Sequence, residues 1–204
     1  MLRAPVILPG SAMVLSRLGY FAEFLLFPPL VIFATALALH DHVNPSRLAI
    51  WLCAYGSGVG AWTLIEYLMH RIVFHHAPIL SGMHELHHES PQELIGSPAW
   101  ASMVSGLIGV AMPSWVVFGF YLATAATAGI ATGYLWYVFV HYSTHHRELR
   151  RGSYLYRARL RHARHHYLSH RSNFGVTTEL WDHVFDTAAQ SQRLSTIGGL
   201  FARH

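Results

Sequence analysis

Residues 98–140 read PAWASMVSGLIGVAMPSWVVFGFYLATAATAGIATGYLWYVFV, without one charged side chain. A helix needs about 20 apolar residues to cross a bilayer, so this stretch holds two spans joined by a tight turn. Two turn positions suit it. Pro113-Ser114 leaves a short first arm, whereas a turn near Gly119 divides the run evenly and leaves Pro113 as a kink.

Two more apolar runs lie upstream. LGYFAEFLLFPPLVIFATALAL spans 18–39, and Pro28-Pro29 is expected to kink or split it. Glu23 is its one acid and is expected near an interface. The turn signal from His40 to Pro45 ends this run. LAIWLCAYGSGVGAWTLIEYLM spans 48–69, where Gly56, Gly58 and Gly60 are small enough to let helices approach closely. The expected fold is therefore all-α: an integral membrane protein with about four transmembrane helices and a helical cap, one domain over 1–204.

Composition agrees. Hydrophobic residues make up 52% of the 204 positions and charged residues 12%, about half the share in soluble domains. The first 20 residues do not read as a signal peptide. The single Cys53 excludes an internal disulfide and cysteine-rich metal sites.

All 14 basic residues are arginine, and eight fall between Arg147 and Arg171. Arg3 and Arg17 precede the first span, Arg71 follows the second, and only Arg47 lies in the loop between them. By the positive-inside rule, four spans put both termini and residues 71–97 on the cytoplasmic side. In a bacterial cell that is the inner membrane. The basic tail suits lipid headgroups better than nucleic acid.

The seventeen histidines are the outlier in so apolar a chain. Most fall on that same side, in sets: His70 and His75; His84, His87 and His88; His141, His145 and His146; His162, His165 and His166. Residues three or four apart share one helix face, so each box can present imidazoles to one point. His70 and His75, five apart, suit a helix end. About ten imidazoles exceed the needs of one metal and match two, each with four or five nitrogens. Such ligands fit zinc, copper, iron or nickel. A solvated metal-buffering tract is the duller alternative, and the recurring helical spacing weighs against it. His84-Glu85-Leu86-His87-His88 formally matches the HExxH zinc motif, but three further boxes need explaining, so Glu85 is not expected to be a base.

Glu66-Tyr67-Leu-Met-His70-Arg71-Ile-Val-Phe74-His75 resembles the EYxxHRxxFH box of the fatty acid hydroxylase/sterol desaturase superfamily. The next three sets resemble its HxxHH, HxxxHH and HxxHH boxes. The segment from Asn173 to Thr187 is similar to its closing NFGxTxxxWDxxFGT segment, with Asp186 where glycine is usual. The resemblance covers about 66–187. It implies a diiron, O2-dependent lipid hydroxylase, with zinc an alternative occupant in isolated protein. The implied ligands are His70, His75, His84, His87, His88, His141, His145, His162, His165 and His166. Glu66, Asn173 and Asp182 match positions assigned to orienting the imidazoles, and His146 matches a position of open role. Trp181 and Phe185 would pack the closing segment. The His75–His84 gap is short for a fatty acid 2-hydroxylase. No cytochrome-like segment accompanies the boxes, so electrons are expected from a separate ferredoxin or cytochrome-type donor. Lipid desaturation and carotenoid hydroxylation are the neighbouring readings. A metal-binding protein without turnover, such as a transporter, belongs to another class. Its ions would need polar spans, which 98–140 does not supply.

Overall fold

The structure, a computed structural model, describes residues 14–40 and 44–189. Arg3, His204 and the loop at 41–43, with the His42 of the expected turn, lie outside the described residues. Among those described the secondary structure is helical apart from one isolated bridge between Val14 and Ile95.

Helix α1 (Arg17–Leu39) starts at Ser16, whose hydroxyl accepts the Gly19 amide. It runs through Pro28-Pro29 without a break, so the expected split does not occur. Proline already holds a helical φ, and membrane helices tolerate the lost amides. Helix α2 (Pro45–Leu68) is capped by the Asn44 side chain at Arg47 N, 2.9 Å, and continues as a π-helical turn over Met69–Phe74. Helix α3 (Pro78–Glu89) follows. Helix α4 (Ala99–Gly106) runs through a second π-helical turn, Leu107–Ala111, into α5 (Met112–His146). Helices α6 (Tyr154–Tyr167) and α7 (Leu180–Val184) complete the chain.

Three helical stretches are long and apolar enough to cross a membrane: Arg17–Leu39, Pro45–Phe74 and Ala99–His146. The third is 48 residues long, and as a straight rod it would reach about 72 Å, over twice a bilayer core. It is not straight. Gly119 has φ 77° and ψ 164°, a conformation open to glycine. Tyr134 Oη lies 3.0 Å from Ser102 Oγ, which a straight helix would hold about 48 Å apart. The chain therefore doubles back at Gly119, and Pro113 lies inside a helical arm.

Helix α2 and the arm after Gly119 run side by side in the same direction. Trp51 packs on Ala125 and Ala128, and Trp62 sits against Gly133. A Cβ on Gly129 would lie 2.1 Å from Tyr55 O, and one on Gly58 would lie 2.4 Å from Ala126 O. Of the three glycines expected to mediate contact, only Gly58 does; Gly56 and Gly60 face open space. Helix α1 runs the opposite way, placing Val31 on the Trp51 cluster and Glu23 beside Tyr134. Glu23, expected near an interface, is buried at 4% exposure and accepts the Tyr134 hydroxyl. Four helical rods thus alternate in direction, and large apolar side chains such as Ile32, Phe33, Val116 and Phe118 point outward. The C-terminal ends of α2 and α5 meet at one end of the bundle, where α3 and α6 form a cap.

Candidate metal centre

Each histidine box reaches that end on a different element. His70 lies in the first π-helical turn and His75 closes it. His84, His87 and His88 lie on α3, His141 and His145 on the last turns of α5, and His162, His165 and His166 on α6.

The ten side chains form two groups of five: His70, His75, His84, His88 and His165; and His87, His141, His145, His162 and His166. Within each group one ring nitrogen per residue lies within 4.8 Å of all the others. The boxes are not single points, as their spacing suggests. Helix α3 sends His84 and His88 to one group and His87 to the other. Helix α6 sends His165 to the first and His162 and His166 to the second. The two groups touch where His88 stacks on His166, with ring centroids 4.1 Å apart.

The nitrogen spacing tests whether a metal fits. Nε2–Nε2 distances are 3.1 Å for His70–His84, 3.0 Å for His70–His165 and 3.0 Å for His84–His88. In the second group they are 3.1 Å for His87–His141, 2.9 Å for His145–His162 and 3.0 Å for His162–His166. Two imidazoles at about 2.1 Å from one ion and at right angles stand about 3.0 Å apart, while tetrahedral angles would give about 3.4 Å. The spacing fits five- or six-coordinate ions.

Proton placement agrees. His70 Nδ1 donates to Phe174 O at 2.6 Å, and His165 Nδ1 donates to Ser172 O at 2.9 Å, since a carbonyl only accepts. Both Nε2 atoms are therefore bare lone pairs, and they face each other at 3.0 Å with no proton between them. A metal ion bound between them would relieve that repulsion.

The two orienting carbonyls lie on one tightly held loop. Asp182 accepts the Phe174 and Gly175 amides at 2.8 Å each, and Thr187 Oγ1 at 2.8 Å. Glu66 accepts the Val176 and Thr177 amides at 2.7 and 2.8 Å, and the Thr177 hydroxyl. Asn173, at φ 55°, accepts the Ala189 amide. Glu66, Asn173 and Asp182 therefore touch no imidazole. They orient the rings at one remove, by fixing the backbone that does. Asp186 has φ 54°, which explains why glycine suits its position and why aspartate is tolerated. Trp181 Nε1 donates to Thr63 Oγ1 at 2.9 Å, and Phe185 stacks on Tyr67 at 5.3 Å.

His146 belongs to neither group and stacks on Tyr142 at 4.5 Å. Reasoning from the boxes misses Gln92, whose side chain donates to His145 O at 3.1 Å. His170, which stands outside the boxes and suits a hydrogen-bonding role better than ligation, donates to His166 O at 3.1 Å and lies 4.4 Å from the His88 ring. Both act through backbone carbonyls, which any residue supplies.

Burial and crowding keep these rings neutral. Loss of solvent, aided by neighbouring imidazoles, pushes His75 and His87 down to about 4. Burial also lowers His165 to about 3, against the opposing Ser172 carbonyl, and drives His84, His162 and His166 down further. These folded-state values lie below the unfolded value of about 6.5. An unfolded chain therefore binds protons that the folded chain refuses, and stability is lost as pH falls through 6.5 toward 4. Chelator-treated protein in detergent should hold a constant melting temperature above about pH 7 and lose it steadily below about pH 6.5. A flat profile down to pH 5, followed by melting in thermal scans, would contradict this.

Glu85 is exposed and points away from both groups. Glu85→Gln should take up as much metal per chain as the unaltered protein, measured by elemental analysis; a marked loss would place Glu85 in the site.

The sequence matches the fatty acid hydroxylase family over residues 55–187. The chain belongs to that family. It is 34% identical to human fatty acid 2-hydroxylase over 142 residues, 64% of this chain and 38% of that protein. It is 33% identical to the ceramide very long chain fatty acid hydroxylase of Schizosaccharomyces pombe over 141 residues, 64% of this chain and 40% of that one. It is 31% identical to a dihydroceramide fatty acyl 2-hydroxylase of Arabidopsis thaliana over 145 residues, 64% and 58%. The chain thus spans about two fifths of the length of the human and yeast relatives. A solved structure described as full-length scs7p, with only the hydroxylase domain visible, shares the fold. Its TM-score is 0.73 at 24% identity, covering 85% of this chain and 68% of that one.

Proposed function

We propose that this protein is a membrane-bound, O2-dependent lipid hydroxylase that acts on the acyl chain of a fatty acid or sphingolipid. The observation that carries the reading is the pair of five-imidazole groups, with bare Nε2 lone pairs converging at right-angle ligand spacing. The names of its family relatives, fatty acid and ceramide hydroxylases, support the substrate class.

His70, His75, His84, His88 and His165 would hold one iron, and His87, His141, His145, His162 and His166 the other. The pair supplies, when bound, O2 activation and attack on an unactivated C–H bond. The chain's own residues do the rest. The Phe174 and Ser172 carbonyls lock the tautomers of His70 and His165, and the Glu66 and Asp182 clamps keep that loop still.

In this reading both arms of the Gly119 hairpin cross the bilayer, giving four spans. The arginine-rich cap lies on the cytoplasmic side of the inner membrane, and a separate ferredoxin or cytochrome-type protein delivers electrons.

The test is to express the chain with an electron donor under isotopically labelled O2 and to analyse lipid extracts by mass spectrometry. One labelled oxygen in an acyl chain supports hydroxylation. Loss of two hydrogens would replace it by desaturation. Unchanged lipids from a metal-loaded, reduced protein would overturn the reading.

A further inference from the structure

A line of oxidisable rings leaves the histidine groups and ends at the buried carboxylate of Glu23 in α1. Tyr137 lies parallel to the His141 ring, at 5.7 Å and 7°. Trp62 of α2 lies 6.1 Å from Tyr137 and 5.2 Å from Tyr134. The Tyr134 hydroxyl donates to Glu23 Oε1 and stands 3.0 Å from Ser102 Oγ. From these contacts we propose that Tyr137, Trp62 and Tyr134 form an electron relay that drains oxidising equivalents from the histidine groups when no lipid consumes them, with Glu23 taking the Tyr134 proton.

Packing alone does not account for the arrangement. Burying a carboxylate among apolar helices is costly, and such a group marks function by default. Phenylalanine at 134 would fill the same space and need no Glu23. The indole slot is specific: a Cβ on Gly133 would lie 2.6 Å from the Trp62 ring, so glycine there lets the indole lie against α5. Trp62 Nε1 is buried without an acceptor. An oxidised indole there keeps its proton and passes the vacancy on. Tyr134 differs, because its hydroxyl already points its proton at a carboxylate. A phenol gives up an electron most readily when its proton has somewhere to go.

The step balances as follows. One electron moves from Tyr134 through Trp62 and Tyr137 to the oxidised metal site, which is reduced by one electron. The hydroxyl proton moves to Glu23, leaving a neutral phenoxyl radical and a carboxylic acid. A hydrogen-atom donor of the quinol class, dissolved in the bilayer, restores the phenol, and Glu23 releases its proton.

The inference rests on the histidine groups holding redox-active metal, and the test separates the two ideas. Metal-loaded protein without lipid is treated with hydrogen peroxide and freeze-quenched. Its electron paramagnetic resonance spectrum is recorded with ring-deuterated tyrosine, and oxidised residues are located by peptide mass spectrometry. A tyrosyl signal is expected in the wild type and absent in Tyr134→Phe. Oxidation of His141 and His162 should rise several-fold in that variant. Trp62→Phe keeps the Tyr134–Glu23 hydrogen bond and should slow radical formation with the fold intact. Equal radical yield and equal histidine oxidation in all three proteins would overturn the relay alone. No radical and no oxidised residue in fully loaded wild type would overturn the redox reading of the site as well.

Discussion

Replacing His165 by alanine is expected to lower metal content from two ions per chain toward one and to reduce lipid oxidation by about 100-fold or more. Loss of an outer partner alone typically costs about 10- to 100-fold in metal affinity, and His165 is closer in than that. Its Nε2 faces both His70 and His75, at 3.0 and 3.2 Å, so its removal opens the centre of the first group. The second group keeps all five members. Elemental analysis of purified protein checks the first half, and product formation under labelled O2 the second. A double variant, His165→Ala with His162→Ala, should bind neither ion tightly. Two ions held as tightly by the single variant as by the wild type would show that His165 is not a ligand of the first group.

Glu66→Ala should be the most damaging change outside the histidines. The carboxylate is 3% exposed and accepts two amides and one hydroxyl. Each buried donor left without a partner costs about 1–3 kcal/mol, so a loss of about 4 kcal/mol is expected. The effect should reach the metal, because the freed loop carries the Phe174 carbonyl that fixes His70. Glu66→Gln keeps an acceptor for the two amides and should retain both ions with a milder loss. Denaturant titration in mixed micelles measures the stability of both variants. Equal stability of Glu66→Ala and wild type would show that the clamp does not hold the loop.

Much of the architecture can be read from residue order. The uncharged run at 98–140 had to double back, and Gly119 was a residue able to make the reversal. Which glycine touches a neighbour was not legible, because the phase of one helix against another is set by packing. Gly58 meets Ala126, while Gly56 and Gly60, on other faces of the same helix, meet nothing. The histidine boxes were legible as sets, but not how they divide. Residues three and four apart lie on either side of one stripe, so His84 and His88 turn one way and His87 the other. The loop at 173–177 showed in the sequence through Glu66, Asn173 and Asp182, but its contacts with the rings did not. The carbonyls that hold His70 and His165 belong to the backbone and leave no trace in residue type.

The π-helical turn at Met69–Phe74, which continues α2, holds one residue more than a regular helix would need between two rings on one face. His75 lies five positions after His70, and the wide turn still stacks their rings at 5.5 Å and 17°. Deleting any one residue between them would let the backbone relax into regular α-helix. His70 and His75 would then stand four apart, still on one helix face and about 40° apart around the axis. A one-residue deletion is therefore expected to keep the pair together, whereas an insertion, which sets the two histidines six apart, turns them to opposite sides of a regular helix.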